Sequence, residues 1–155
     1  MQQPQTGIFH YYERPKIIST DIAKRCEFTF DNSGSYIDAT LFCFPIDDKY
    51  LLALLNSRLL EAYYKSISST IRGGFLRFKK IYIEQLPVKI TTDSKRKLFI
   101  DLIDKIFAIT RDEDYLQNQQ KQTKVKTLEQ EIDQMVYQLY GLTEKEIAII
   151  TGNEK

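Results

Sequence analysis

Between residues 91 and 140 the chain contains no glycine and no proline. Those two residues supply tight turns and end helices, so a stretch without them builds long, regular elements. Its apolar residues recur at helical spacing. Phe99, Leu102, Ile103, Ile106 and Ile109 share one face of a helix that Thr92 or Asp93 can cap. A polar interval, Asn118–Gln122, interrupts the pattern. The stripe resumes with Val125, Leu128, Ile132, Met135, Val136 and Leu139, in steps suited to packing against another helix. Gly141 is placed to stop this helix. Thr143 and Glu146 then have capping-box spacing ahead of Ile147, Ile149 and Ile150. Residues 91–155 are predicted to form a helical hairpin; one long helix broken near 112–122 also fits.

Residues 1–90 have the opposite character. They hold fourteen of the nineteen aromatic residues, all four prolines and four of the six glycines. Lys16–Thr20 is a β-branched run and reads as a strand. Phe28 and Phe30 alternate within 27–31, the period of a second strand. Asn32–Ser35 is a turn cluster, and Tyr36–Phe44 continues as a third strand, so the last two are expected to form a hairpin closed by Pro45. Asp47 and Asp48 open a helix, where a carboxylate accepts free N–H groups. Leu51, Leu54, Leu55 and Leu59 line one face of it, and it is expected to run to about Ser66. After the turn Ile71–Gly74, the segments 75–79 and 80–83 read as extended. The fold class is therefore α+β: a small sheet packed on a leucine-rich helix over 1–90, then a helical region over 91–155.

Composition narrows the chemistry. The 155 residues carry 22 Lys and Arg against 21 Asp and Glu, a net charge of +1. That excludes a histone-like basic coat and an acidic solvating tail. No apolar run approaches the length of a membrane span. The amino terminus has no secretory pattern, and two cysteines, Cys26 and Cys43, point to reduced thiols in a cytoplasm. Cys43, in an apolar run, is expected to be buried. One histidine, His10, supports neither a catalytic triad nor, with two cysteines, a zinc site. There is no Gly-x-Gly-x-x-Gly, no Walker loop and no Gly-x-Ser-x-Gly. No two prolines are adjacent, so the Asn/Asp-Pro-Pro-aromatic tetrad of amino-methyltransferases is missing and no catalytic residue is assigned. Asp38 with Asp47-x-Lys49 loosely matches a Mg²⁺ nuclease, but helix capping explains the aspartates better.

The local charge distribution says more than the sum. Lys65, Arg72, Arg77, Lys79 and Lys80 fall within sixteen residues with no acid, so the rest of the chain nets four negative charges. Ser68, Ser69, Thr70 and the Gly73-Gly74 backbone lie among them. Cationic heads, hydroxyls and approachable amides are what phosphate binding uses. Arg72 and Arg77 also have the fork that pairs with guanine. These ten residues are the candidate DNA contacts. The competing explanation is a solvated edge strand whose lysines discourage aggregation.

The residues that follow one another here resemble a known family. Tyr50–Leu60 with Asn56-Ser57 inside it, Ser68–Gly74, Phe75–Lys79 and Ile83–Pro87 are similar to the TaqI-like C-terminal specificity domain of restriction-modification enzymes. Lys16–Thr20, Phe28–Gly34 and Tyr36–Thr40 fit its strand blocks, and Glu131–Thr143 resembles the closing helix of the same enzymes. The resemblance implies a target-recognition piece of a larger N6-adenine DNA methyltransferase. Double-stranded DNA and the methyltransferase domain of the same polypeptide would be its partners. S-adenosylmethionine would be the parent's cofactor, bound outside this piece, which itself needs none. The alternative from a different class is a protein-interaction module that docks through its helical end.

Overall fold

The computed structural model describes residues 12–38 and 40–152. His10 lies outside them. The architecture is α+β, as expected, with two small antiparallel sheets and a predominantly helical second part. In chain order the strands are β1 (Lys16–Thr20), β2 (Ile22–Ala23), β3 (Phe28–Asp31), β4 (Leu41–Phe44), β5 (Thr70–Ile71) and β6 (Phe75–Arg77). The helices are α1 (Lys49–Leu55), α2 (Arg58–Ile67), α3 (Lys80–Ile83), α4 (Asp93–Thr110), α5 (Gln119–Tyr140) and α6 (Glu144–Thr151).

The expected hairpin between the second and third strands does not form. The first sheet has the order β3-β1-β4, with β1 pairing antiparallel to both neighbours. β1 takes the centre because it is the strand buried along its length: Ile17 is fully buried and even Lys16 is inside. A central strand must satisfy both backbone edges, and β3 and β4 each supply one. Lys16 is tolerated there because its Nζ donates to Asp31 and, at 2.7 Å, to the Tyr12 carbonyl. Tyr36–Asp38 are not strand, and β4 begins only at Leu41. Cys43 in β4 is half-buried rather than buried; Cys26 is the enclosed thiol.

The leucine-rich stretch is two helices, not one. Asp48 caps α1, its Oδ1 accepting from the N–H groups of Tyr50 at 2.9 Å and Leu51 at 3.1 Å. The helix stops at Asn56, and Ser57 starts α2 as its N-cap, accepting from Leu60 N–H at 3.3 Å. Ser57 Oγ also donates to the Leu54 carbonyl at 2.6 Å. Two residues that prefer backbone hydrogen bonds over helix interiors thus divide a continuous apolar stripe. The segment 80–83 is a short helix rather than extended; Tyr82 and Ile83 pack on the core and Pro87 follows.

The second part is a helical hairpin. Thr92 caps α4, a 3₁₀ turn at Tyr115–Gln117 reverses the chain, and α5 returns against α4. Gly141, at φ 72°, ends α5: its N–H donates to the Gln138 carbonyl and the Leu142 N–H to the Tyr137 carbonyl. Those two bonds make a Schellman closure. Thr143 and Glu146 form the expected capping box at the start of α6.

One core joins the two parts. Leu52, Leu54, Leu60 and Leu76 are in the same apolar cluster as Phe99, Ile103, Leu128, Ile132 and Val136. The connecting segment is held from both sides. Tyr50 OH, from α1, donates to the Lys89 carbonyl. Tyr140 OH, from α5, donates to the Pro87 carbonyl and accepts the Lys89 N–H. None of the described helices is long and apolar enough to cross a membrane.

Candidate nucleic-acid interface

The basic stretch folds as the end of α2 and the hairpin that follows it. α2 terminates where the Ser68 N–H donates to the Tyr64 carbonyl at 2.9 Å and Ser68 becomes extended. β5 and β6 then pair, Ile71 opposite Phe75, with 72–74 as the turn. Gly74 N–H donates to the Ile71 carbonyl at 3.1 Å, and Gly73 and Gly74 sit at φ 93° and 77°. An L-residue adopts that region only with strain, so the two glycines are what lets the turn close. A Cβ on Gly73 would also touch the Phe75 ring at 3.4 Å.

The hairpin rests on a rigid base. Leu76 and Phe78 are buried beneath it. Tyr64 of α2 stacks on Phe78 with ring centroids 4.8 Å apart, and Phe28 meets Phe78 edge-on at 5.8 Å. Tyr64 OH donates to the Arg77 carbonyl at 2.9 Å and accepts the Lys79 N–H at 3.2 Å. One buried phenol therefore fixes the backbone on both sides of Phe78. The backbone that carries Arg77 and Lys79 is thereby held in place.

The candidate residues fall into distinct settings. Arg72, Gly73 and Gly74 are exposed at the hairpin tip, and Arg77 and Lys79 are exposed on and just after β6. Arg72 and Lys79 have no ion-pair partner among the described residues. Lys65 is occupied by Glu61 one turn back on α2, at 2.5 Å, and Lys80 of α3 lies 3.5 Å from Glu84, the residue just after that helix. Ser69 and Thr70 are exposed, but the Ser68 hydroxyl is buried without a hydrogen-bond partner and is not turned outward.

Sequence reading missed three residues beside this hairpin. β2 pairs with β6, Ile22 opposite Arg77 and Ala23 opposite Leu76, which brings Asp21, Lys24 and Arg25 to it. Lys24 Nζ lies 5.2 Å over the Phe75 ring, Arg25 is 3.7 Å from Glu61, and Asp21 is 3.6 Å from the Arg77 Nε. The only available signal was the dibasic Lys24-Arg25, distant in sequence from the rest.

A concavity of about 390 Å³ lies between β3, α1, α4 and α5. Its lining mixes Arg25, Arg58 and Lys126 with Glu129 and Asp133. Burial pushes the Asp133 carboxyl above its ordinary value, against the opposing pull of Arg58. Asp133 has a structural duty there: it accepts the Arg58 N–H at 2.8 Å, at the first turn of α2, and lies 3.4 Å from the Arg58 guanidinium. No group of three metal-ligating side chains occurs among the described residues. Asp48 caps α1 and pairs with Arg96 at 2.8 Å, and Lys49 pairs with Asp104, so Asp48 and Lys49 have structural partners, while Asp47 is exposed beside them.

Two comparisons with known proteins bear on these features. The sequence model of the TaqI-like C-terminal specificity domain matches residues 1–88. The Type II methyltransferase M.PaeR7I of Pseudomonas aeruginosa is 27% identical over 143 residues, which is 90% of this chain and 22% of that protein. The chain therefore spans about a fifth of the length of the curated relative it matches.

Proposed function

The chain belongs to the TaqI-like C-terminal specificity domain family, and on that premise we propose that it recognises a DNA target sequence on behalf of a restriction-modification methyltransferase. The observation that carries the proposal is the hairpin 70–77, which exposes Arg72 and the adjoining Lys79 without an ion-pair partner among the described residues, and Arg77 beside Asp21. A near-neutral net charge is no obstacle. A few phosphate contacts supply affinity, and base edges and shape supply specificity.

In this reading residues 1–90 form the recognition module and 91–155 a helical spacer that docks the methyltransferase domain of the parent polypeptide. The parent would methylate the N6 of adenine with S-adenosylmethionine in the cytoplasm. Methyl transfer would occur outside this piece, whose residues offer neither a glycine-rich cofactor loop nor the Pro-Pro tetrad. What this chain supplies is binding and orientation.

The test is duplex binding by the 155-residue chain, followed by fluorescence anisotropy at several salt concentrations. Wild type should bind weakly, and more weakly as salt rises. Replacing Arg72 and Arg77 together by alanine should abolish binding, leave the melting temperature unchanged, and abolish methylation when placed in the parent. Unchanged binding in that double variant would sink the site assignment. A chain that ignores DNA but captures another protein through 91–155 would establish the interaction-module reading instead.

A further inference from the structure

We infer that Arg77 reads a guanine from the outer face of the second sheet, and that Asp21 is the residue that positions it. The inference rests on the DNA-recognition reading above and adds which face and which residues do the reading.

The second sheet has the order β2-β6-β5. Alternate residues of a strand, and residues directly opposed across a pair, share a face. Leu76 and its partner Ala23 are buried, so that face belongs to the core. Arg77 and Phe75, with their partners Ile22 and Ile71, form the opposite face. Ile22 is 47% exposed and Arg77 is exposed beside it, while Phe75 carries Lys24 over its ring. Three strands are about 10 Å across. The DNA major groove is about 12 Å wide and accepts strands as well as helices. An arginine flanked by an exposed isoleucine suits base edges, where a guanine offers two acceptors and a thymine a methyl group.

Asp21 separates reading from simple charge attraction. Its backbone is bolted between the two sheets: its N–H donates to the Thr40 carbonyl at 3.0 Å and its carbonyl accepts the Phe78 N–H at 2.8 Å. Its carboxylate stands 3.6 Å from the Arg77 Nε. A negative charge there weakens the pull on phosphate. It is useful where orientation matters more than charge, because engaging Nε aims the two terminal NH₂ groups outward as a fork. Arg72, at the tip with no such partner, has the setting of a phosphate contact.

The experiment selects binders from a randomised duplex library with the full chain, then compares affinity for the selected duplex and for unselected duplex. Wild type should select a G·C pair at one position at least. Arg77→Lys keeps the charge and loses the fork, and should lower the preference there by about tenfold or more. Asp21→Asn should lower the same preference while binding unselected duplex more tightly, because a negative charge has left the face. A role in folding alone would not raise affinity. Arg72→Ala should do the reverse, weakening all duplexes and reducing the salt slope by about one while the selected sequence stays the same. Selection retained in Arg77→Lys or Asp21→Asn overturns the inference, as does salt-sensitive binding without any selection by wild type; in both cases DNA binding itself stands. No binding by wild type overturns the DNA-recognition reading instead. Should Asp21→Asn melt early, Arg77→Lys decides alone.

Discussion

Asn56 and Phe28 bond each other as two neighbouring strands do. The Phe28 N–H donates to Asn56 Oδ1 at 2.9 Å, and Asn56 Nδ2 donates to the Phe28 carbonyl at 2.9 Å. The side chain that follows the last turn of α1 thus closes the free edge of β3, the outer strand of the first sheet.

Asn56→Ala should therefore cost about 2–4 kcal/mol, since it strands a donor and an acceptor at Phe28, which is itself buried. Asn56→Asp keeps the acceptor and loses the donor, and should fall between the two. Urea unfolding measures both. A change below about 0.5 kcal/mol in the alanine variant would show that water replaces the amide without loss.

The Lys16–Asp31 pair makes stability depend on acid. Hydrogen bonds from Lys16 and Ser33 hold the Asp31 carboxyl down at about 2, below its ordinary 3.8. A carboxylate with a depressed folded pKa stabilises the fold above its unfolded value, and that contribution fades as the pH falls from about 4 towards 2. It amounts to roughly 1–2 kcal/mol at neutral pH after allowance for partial exposure. Asp31→Asn should be less stable than wild type at pH ~6, and the gap should shrink through that acid window. A gap that is constant with pH would contradict the assignment.

The two thiols should react in a fixed order. Burial, reinforced by the nearby Glu61 carboxylate, pushes Cys26 up to about 12, so almost no thiolate exists at neutral pH. Cys43 is half-buried and its value is also raised by burial, but it is the more reachable. An aromatic disulfide reagent should titrate Cys43 slowly in the folded protein and Cys26 only after denaturant is added. Cys43→Ser should then leave no thiol that reacts in the native state.

The signals in the helical half were local, and they were legible. Thr92, Gly141 and the Thr143–Glu146 box act on residues within one turn, so sequence neighbours determine them. In the first half the decisive contacts are distant. β3 and β4 are consecutive, yet each pairs with β1, where Ile17, Ile18 and Ser19 are flanked on both edges. The break at Asn56-Ser57 was written in capping residues but masked by leucines that keep the period across it. Lys65–Lys80 stood out as a charge run. Asp21 and Lys24 did not, since they reach the hairpin through the pairing of Ile22 with Arg77. The ten candidates themselves divide by partner: Lys65 and Lys80 pair with acids four residues away, while Arg72 and Lys79 have no ion-pair partner among the described residues.

The tyrosine hydroxyls that grip residues 87–89 give the molecule the mechanics of a lever without a hinge. Tyr50 and Tyr140 hold that short span from α1 and α5, so the two parts are tied at their connection as well as through their shared core. On the proposed reading, the angle between the docking end and the reading face would be set at folding, not chosen at each encounter. A search along DNA would then be the motion of a rigid gauge offered to successive sites, with misfit answered by departure rather than by adjustment.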